Sequence, residues 1–344
     1  MTLLGKLLIS LSLIAGLAQA ADPGLLQLVM PDATVVIGIN VGRVKSSGIA
    51  QSMVSQMQPG DAELKKWSEL TGFDPLRDLE EVLIAAPAGK SQGRGLVLMR
   101  GSFEASRLVE LAKLGDVRLT TFQGIQIASI EQQDPIALAC LSNSLAVAGD
   151  PESVRAAIAR RRSASRLNPG LLAKANQLSG TYDIWLAAMT PVSDLAGEVA
   201  DPKLSGMAGE ILKSIQQASG GIKFGTKLEV SLELVTTSYK DALALRDVLK
   251  FFTGLALTQA RPTQAADALD NLRLTVEGAS LKLQLEIPEQ QLAQMIQAQK
   301  PAKAAPRPKP ASGEIVIHST SPEAGGTKPA PSGDTSVVRL PAPK

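Results

Sequence analysis

Ile136-Ala137-Leu138-Ala139-Cys140-Leu141-Ser142-Asn143-Ser144-Leu145-Ala146-Val147-Ala148-Gly149-Asp150-Pro151 is the stretch that decides the fold class. Two apolar runs of strand length flank a short polar turn, which reads as a hairpin. Asp150 then supplies a helix cap, and Pro151 suits the first helical position, where its missing N–H is not needed. A hairpin feeding a helix is a building unit of antiparallel α+β proteins. Cys140, the only cysteine, lies inside the first run. It rules out an intrachain disulfide and reads as a small, inert core residue rather than a reactive thiol.

The same unit recurs downstream. Leu272 to Val276 and Leu281 to Ile287 form a hairpin about Gly278, and Pro288 opens a helix with Leu292, Met295 and Ile296 on its apolar side. Before the deciding stretch come an apolar run from Thr34 to Val41, helical patterns at 44–57 and 61–70, and strands at 82–86 and 96–100. A helix at 103–114 and a hairpin of 117–122 with 125–130 about Gln123-Gly124 follow. After it, Tyr182 to Met189 parallels the opening strand, and Met207 to Ala218 reads as a helix broken by Ser219-Gly220-Gly221. Strands at 222–224 and 228–235 and a helix from Lys240 to Phe252 come next. The first half has two hairpins where the second has one, and the second of the two lacks a counterpart. The expectation is an α+β fold of two related units, residues 21–165 and 166–299, each a largely antiparallel sheet with helices packed on one face.

Both ends of the chain differ from this middle. Lys6, the apolar stretch Leu7 to Leu17 and the small residues Ala18-Gln19-Ala20 have the three parts of a secretory signal peptide, with cleavage between Ala20 and Ala21. The apolar stretch is shorter than a bilayer span requires. No second such stretch follows, so no stable membrane span is expected after cleavage. Residues 300–344 hold nine of the 21 prolines and seven Lys or Arg against three Asp or Glu. Such a Pro-, Ala- and Lys-rich stretch lacks the apolar surface needed to offset its ordering entropy, and reads as a disordered tail. The remaining 27 basic and 30 acidic side chains of residues 21–299 give that region a slight negative charge. With few aromatic residues, this argues against nucleic acid as a partner.

Candidate chemistry is sparse. The single histidine, His318, falls in the tail, which removes Ser-His-Asp, Cys-His and His-ligated metal sites from the middle region. No Ser-x-x-Lys, G-x-S-x-G, P-loop or G-x-G-x-x-G occurs, and no cofactor is expected. Asp74, Asp78, Glu80 and Glu81 form the densest group of acids, but Asp74 and Asp78 suit helix capping, and Glu80 and Glu81 read as an edge before a strand. Trp67 and Trp185 fall on apolar faces, as core residues do; Tyr182 and Tyr239 complete the short set of amphipathic aromatics. Arg160, Arg161 and Arg162, with Arg166 nearby, form the one basic cluster, a weak anion or partner patch that also complements the end of a helix.

Leu70-Thr71-Gly72-Phe73-Asp74-Pro75-Leu76-Arg77-Asp78-Leu79-Glu80-Glu81-Val82-Leu83, following Pro31-Asp32-Ala33-Thr34-Val35-Val36, resembles uncharacterised exported bacterial proteins of Acidobacteria-like type. It also resembles the broader DUF3352 family of periplasmic proteins of unknown function. The resemblance covers roughly residues 29–160. It implies a bacterial envelope address, in the periplasm or outside the cell, and brings no activity and no catalytic residues. The leading expectation is an exported, non-enzymatic protein that binds a partner protein or envelope component. The alternatives are a carrier of an apolar ligand, suggested by the Leu- and Ala-rich stretch from Lys240 to Leu257, and a hydrolase that works by carboxylates alone.

Overall fold

The computed structural model describes residues 21–51, 73–89, 94–106, 117–130, 135–163, 166–195, 211–259 and 271–298. The expected signal peptide, the tail, Trp67, His318, the expected helix at 61–70 and most of that at 103–114 lie outside the described residues. The first half contains α1 (Pro23–Leu28), β1 (Val35–Asn40), α2 (Val41–Ser46), α3 (Pro75–Asp78), β2 (Leu79–Ala86), β3 (Leu96–Gly101), β4 (Val117–Phe122), β5 (Ile125–Ile130), β6 (Ile136–Ser142), β7 (Leu145–Gly149) and α4 (Pro151–Arg160). The second half contains α5 (Pro169–Thr181), β8 (Ile184–Ala188), α6 (Val192–Leu195), β9 (Ile215–Phe224), β10 (Lys227–Thr236), α7 (Tyr239–Gln259), β11 (Arg273–Glu277), β12 (Ser280–Pro288) and α8 (Glu289–Ala298).

The strands form an antiparallel sheet in an α+β fold. All twelve belong to one sheet, in the order β11-β12-β10-β9-β8-β1-β2-β3-β7-β6-β5-β4. The expected units 21–165 and 166–299 meet where β1 pairs with β8, from Val35 opposite Ala188 to Ile39 opposite Ile184. Outward from that seam, β1-β2-β3-β7-β6 on one side repeats the order of β8-β9-β10-β12-β11 on the other. The extra hairpin is β4-β5 at the far edge. The hairpin without a counterpart is therefore residues 117–130 rather than 136–149, because β7 and not β4 pairs with β3. At its tip, Gln123 and Gly124 both adopt positive φ (49° and 77°), the geometry that a two-residue hairpin turn demands.

The helices occupy opposite faces on the two wings. Leu83, Ala85, Leu96, Leu98, Ala137, Ala139 and Val147 form one core with Val36, Trp185 and Ala187, covered by α1, α4 and α5. Register puts Trp185 opposite Gly38 on β1 and Gly221 on β9, so Gly221 shares that face and Ile222 takes the other. Ile222 in turn stands opposite Val230. On this second face Val230, Leu285 and Ile287 pack with Leu292 and Met295 of α8, while Leu234, Leu281 and Leu274 pack with Leu245 and Leu249 of α7.

Ser219-Gly220-Gly221 is not a break between helix and strand but the middle of β9, which already begins at Ile215, within the expected helix Met207 to Ala218. The small residues answer a packing demand. A Cβ on Gly220 would run into the Ser231 carbonyl of β10, and one on Gly221 into the Ile184 carbonyl and the Tyr182 ring. Close approach of neighbouring backbone is a use of glycine that sequence alone does not separate from a turn.

Candidate functional site: a polar row and an outward apolar stripe

In a strand, residues two apart share a face. Glu81 thus lies on the core face with Leu83 and Ala85, and Arg100 lies on it with Leu96 and Leu98. Asn40 follows Val36 and Gly38, and Asp183 precedes Trp185 and Ala187. Register aligns Asn40 with Glu81 and Glu81 with Arg100, while the Asn40 N–H donates to the Asp183 carbonyl at 2.7 Å. Four adjacent strands or their leading residues thereby place a polar row across one end of an otherwise apolar face.

The N-terminal segment closes over this row. Asp22 caps α1, accepting from Gly24 N–H at 2.6 Å, and its carboxylate pairs with Arg100. Its own N–H faces both Glu81 oxygens at 3.3 Å. Asp183, buried, accepts from Phe224 N–H at 2.8 Å and pairs with Arg43 at 3.7 Å. Asp22, Pro23, Asn40, Gly42, Glu80, Glu81 and Arg100 line a cleft of about 570 Å³. Burial holds the Glu81 carboxyl protonated up to about pH 7, against the pull of the Asp22 N–H and of Arg100 and Arg43; the Asp22 charge adds to the rise. Sequence reading puts Glu81 at an edge before a strand. It belongs instead to a central strand, because β2 starts at Leu79. The period-two spacing Glu81, Leu83, Ala85 is the signal that marks it as inward-facing.

The second feature is on α7. Ser238 caps this helix, its Oγ accepting from Asp241 N–H at 3.2 Å and donating to the Asp241 carboxylate at 2.6 Å. Those bonds, with one from Thr237, hold the Asp241 carboxyl below the usual range. Ala242, Leu245 and Leu249 turn toward the sheet. Ala244, Val248, Phe251 and Leu255, spaced by four, three and four residues, define a second apolar line on a side turned away from it. Ala244 and Val248 are half-buried at its start, and the line opens to solvent toward its end. Phe251 is 66% exposed, Phe252 and Leu255 are also exposed, and the two Phe rings meet edge to face with centroids 5.7 Å apart. Tyr239 stands exposed at the start of the same helix.

The other expected site residues fall into place singly. Arg160 turns inward, donating to the Leu28 carbonyl at the end of α1 at 3.0 and 3.3 Å, and burial pulls its pKa down. Arg161 is half-buried, and Arg162 and Arg166 are exposed. Asp74 caps α3, accepting from Leu76 and Arg77 N–H groups, while Asp78 accepts from Asp74 N–H and pairs with Arg77 at 2.6 Å. Asp78, but not Asp74, lines a cleft of about 530 Å³ with Phe73, Phe103 and Asn143, and both acids are engaged in capping and pairing. Trp185 is a core residue, Tyr182 packs at the core's margin, and burial raises the half-buried Cys140 thiol. Ala21, the expected first residue of the processed chain, is buried; Ala20 lies outside the described residues. Among the described residues no cluster of His, Cys, Asp and Glu has the makings of a metal site, and no helix is long and apolar enough to cross a membrane.

No protein-family model matches the chain, and no curated protein matches it. Among solved structures, crystal form IV of TP0453 is similar at 14% identity with a TM-score of 0.48, over 81% of this chain and 97% of that one. Crystal form I of TP0453 is similar at 14% identity with a TM-score of 0.44, over 81% of this chain and 98% of that one.

Proposed function

We propose that this is an exported, non-enzymatic binding protein of the bacterial envelope that docks a partner protein through the outward line of α7. The observation that carries the reading is the second apolar line, Ala244, Val248, Phe251 and Leu255, on a helix that already packs another side on the sheet. A surface helix ordinarily turns one apolar stripe inward and keeps the rest polar. Clustered exposed aromatics on a rigid helix are what a partner's apolar helix takes as anchors, and here Phe251 and Phe252 stand beside the small side chains of Ala244 and Val248, which leave room for a partner to approach. The spacing of four and three residues matches the seam along which two helices pack. Export rests on the signal-peptide pattern of residues 1–20, and the resemblance of residues 29–160 to exported bacterial proteins supports the same address. The tail from residue 300 acts in this reading as a tether or a short recognition segment. The matching strand order on the two sides of the β1–β8 seam supports an origin of the two halves in one duplicated unit.

The hydrolase reading loses Asp74 and Asp78, its best acids, to capping and pairing. The carrier reading calls for an enclosed apolar cavity, whereas the described clefts are open and lined by charged side chains. Affinity capture from envelope extracts tests the proposal with three forms of the mature chain: wild type, Phe251→Asp with Phe252→Ser, and a truncation lacking residues 300–344. The expected result is a partner retained by the truncation and lost by the double variant. Loss on truncation alone would move binding to the tail.

A further inference from the structure

Ala21 is built into the core rather than left at a frayed end. It is 1% exposed, and its N–H donates at 2.7 Å to the Oγ of Ser179, itself 4% exposed and anchored to the Asn176 carbonyl at 3.2 Å. The five residues Leu25, Leu26, Leu28, Val29 and Met30 that follow are buried in the same core. Chain ends are ordinarily the loosest part of a domain unless something ties them down. Here the tie is made at the residue that removal of the expected signal peptide would leave first.

Among the described residues, the polar row beneath this residue holds more inward acids than guanidiniums. Its inward acids are Asp22, Glu81 and Asp183, and its guanidiniums are Arg100 and Arg43. Arg100 pairs with Asp22 and Arg43 with Asp183. Glu81 receives the Asp22 N–H, which faces both of its oxygens at 3.3 Å. The Ala21 nitrogen is the next backbone nitrogen along, and backbone geometry keeps neighbouring nitrogens within about 4 Å of each other. Hydrolysis of the Ala20–Ala21 peptide by a signal peptidase consumes one water. It leaves a carboxylate on Ala20 and turns the single N–H of Ala21 into an ammonium with three donors. One donor keeps the Ser179 bond, and the positive charge is added one residue from the Asp22 N–H that faces Glu81, a carboxylate on which Arg100 and Arg43 act without a direct ion pair.

We infer that signal-peptide removal completes this site: the new α-ammonium of Ala21 docks between Ser179 and Glu81, so that processing locks α1 onto the sheet and finishes the fold. This inference rests on the export reading above. A buried ammonium without a counter-charge would be strongly unfavourable, and Glu81 supplies that charge. The charged groups that face Glu81 are Asp22, Arg100 and Arg43, with Glu80 at the mouth of the cleft.

Two measurements test it. Mass spectrometry of the exported protein fixes the mature N-terminus; a start other than Ala21 would contradict the export reading's cleavage site and leave the locking site with no ammonium to bind. Separately, the chain beginning at Ala21 is released from a cleavable fusion and compared with a chain carrying one extra glycine before Ala21, each with and without Glu81→Gln. At pH 7 the α-amine of the Ala21 form should acylate at least ~10-fold more slowly than that of a peptide of residues 21–30, the factor that a one-unit pKa rise gives. The extra glycine should lower the melting temperature, and Glu81→Gln should remove most of that difference. An amine that reacts at the peptide's rate would overturn the inference. So would a melting difference of the same size in both Glu81 backgrounds, even with a protected amine.

Discussion

Gly38 lies opposite Trp185 across the β1–β8 seam, and a Cβ there would overlap the indole ring. A rigid aromatic flanked by backbone has little room to retreat, so Gly38→Ala should destabilise the protein by about 1–3 kcal/mol, read from urea unfolding. Gly180, near the end of α5, has open space where its Cβ would go and an ordinary helical φ, so Gly180→Ala should instead stabilise by about 0.4–1 kcal/mol. Glu81 makes a pH prediction. In a chain still carrying residues ahead of Ala21, its folded pKa of about 7 lies above the ordinary 4.5. The folded state then holds the proton more tightly, so this contribution is complete below about pH 4.5 and is lost as pH rises through 7. Glu81→Gln should flatten that part of the stability profile. In a chain that starts at Ala21, the ammonium should draw the Glu81 pKa down, and the same slope should be weaker from the outset.

At the scale of elements, α7 carries two apolar lines with different duties. Leu245→Ala, beneath the helix, should cost about 2–5 kcal/mol, while Phe251→Ala on the outside should change stability by no more than about 0.5 kcal/mol; thermal melts of the two variants check the contrast. Much of this level was legible in the sequence. Asp150-Pro151, Asp74-Pro75 and Gln123-Gly124 announce caps and a turn through local chemistry, and those features stand where that chemistry puts them. What was not legible depends on partners distant in the chain. Ser219-Gly220-Gly221 looks like a break because nothing local says that β8 and β10 press against it. Glu81 looks like a strand-edge acid because its inward direction follows only once β2 is known to start at Leu79. The α7 stretch reads as Leu- and Ala-rich, but only the sheet beneath it separates the packed line from the outward one.

Across the whole molecule, the seam between β1 and β8 makes the halves interdependent. Cutting the chain between residues 165 and 166 would expose the paired edges of both strands and split the core that joins Trp185 to Val36. Either half alone should therefore aggregate or fail to fold, and co-expressed halves should recover one cooperative transition in calorimetry. The β11 edge is better protected: it turns Arg273, Thr275 and Glu277 to solvent, a polar border that discourages strand addition. That leaves the exposed line of α7 as the surface on which the binding account stands. A photo-crosslinking amino acid at position 251, with position 162 on the other wing as control, tests it in intact envelopes. A discrete adduct with one partner protein is expected from position 251 and none from 162; equal adducts from both positions, or none from 251, would rule out docking through α7.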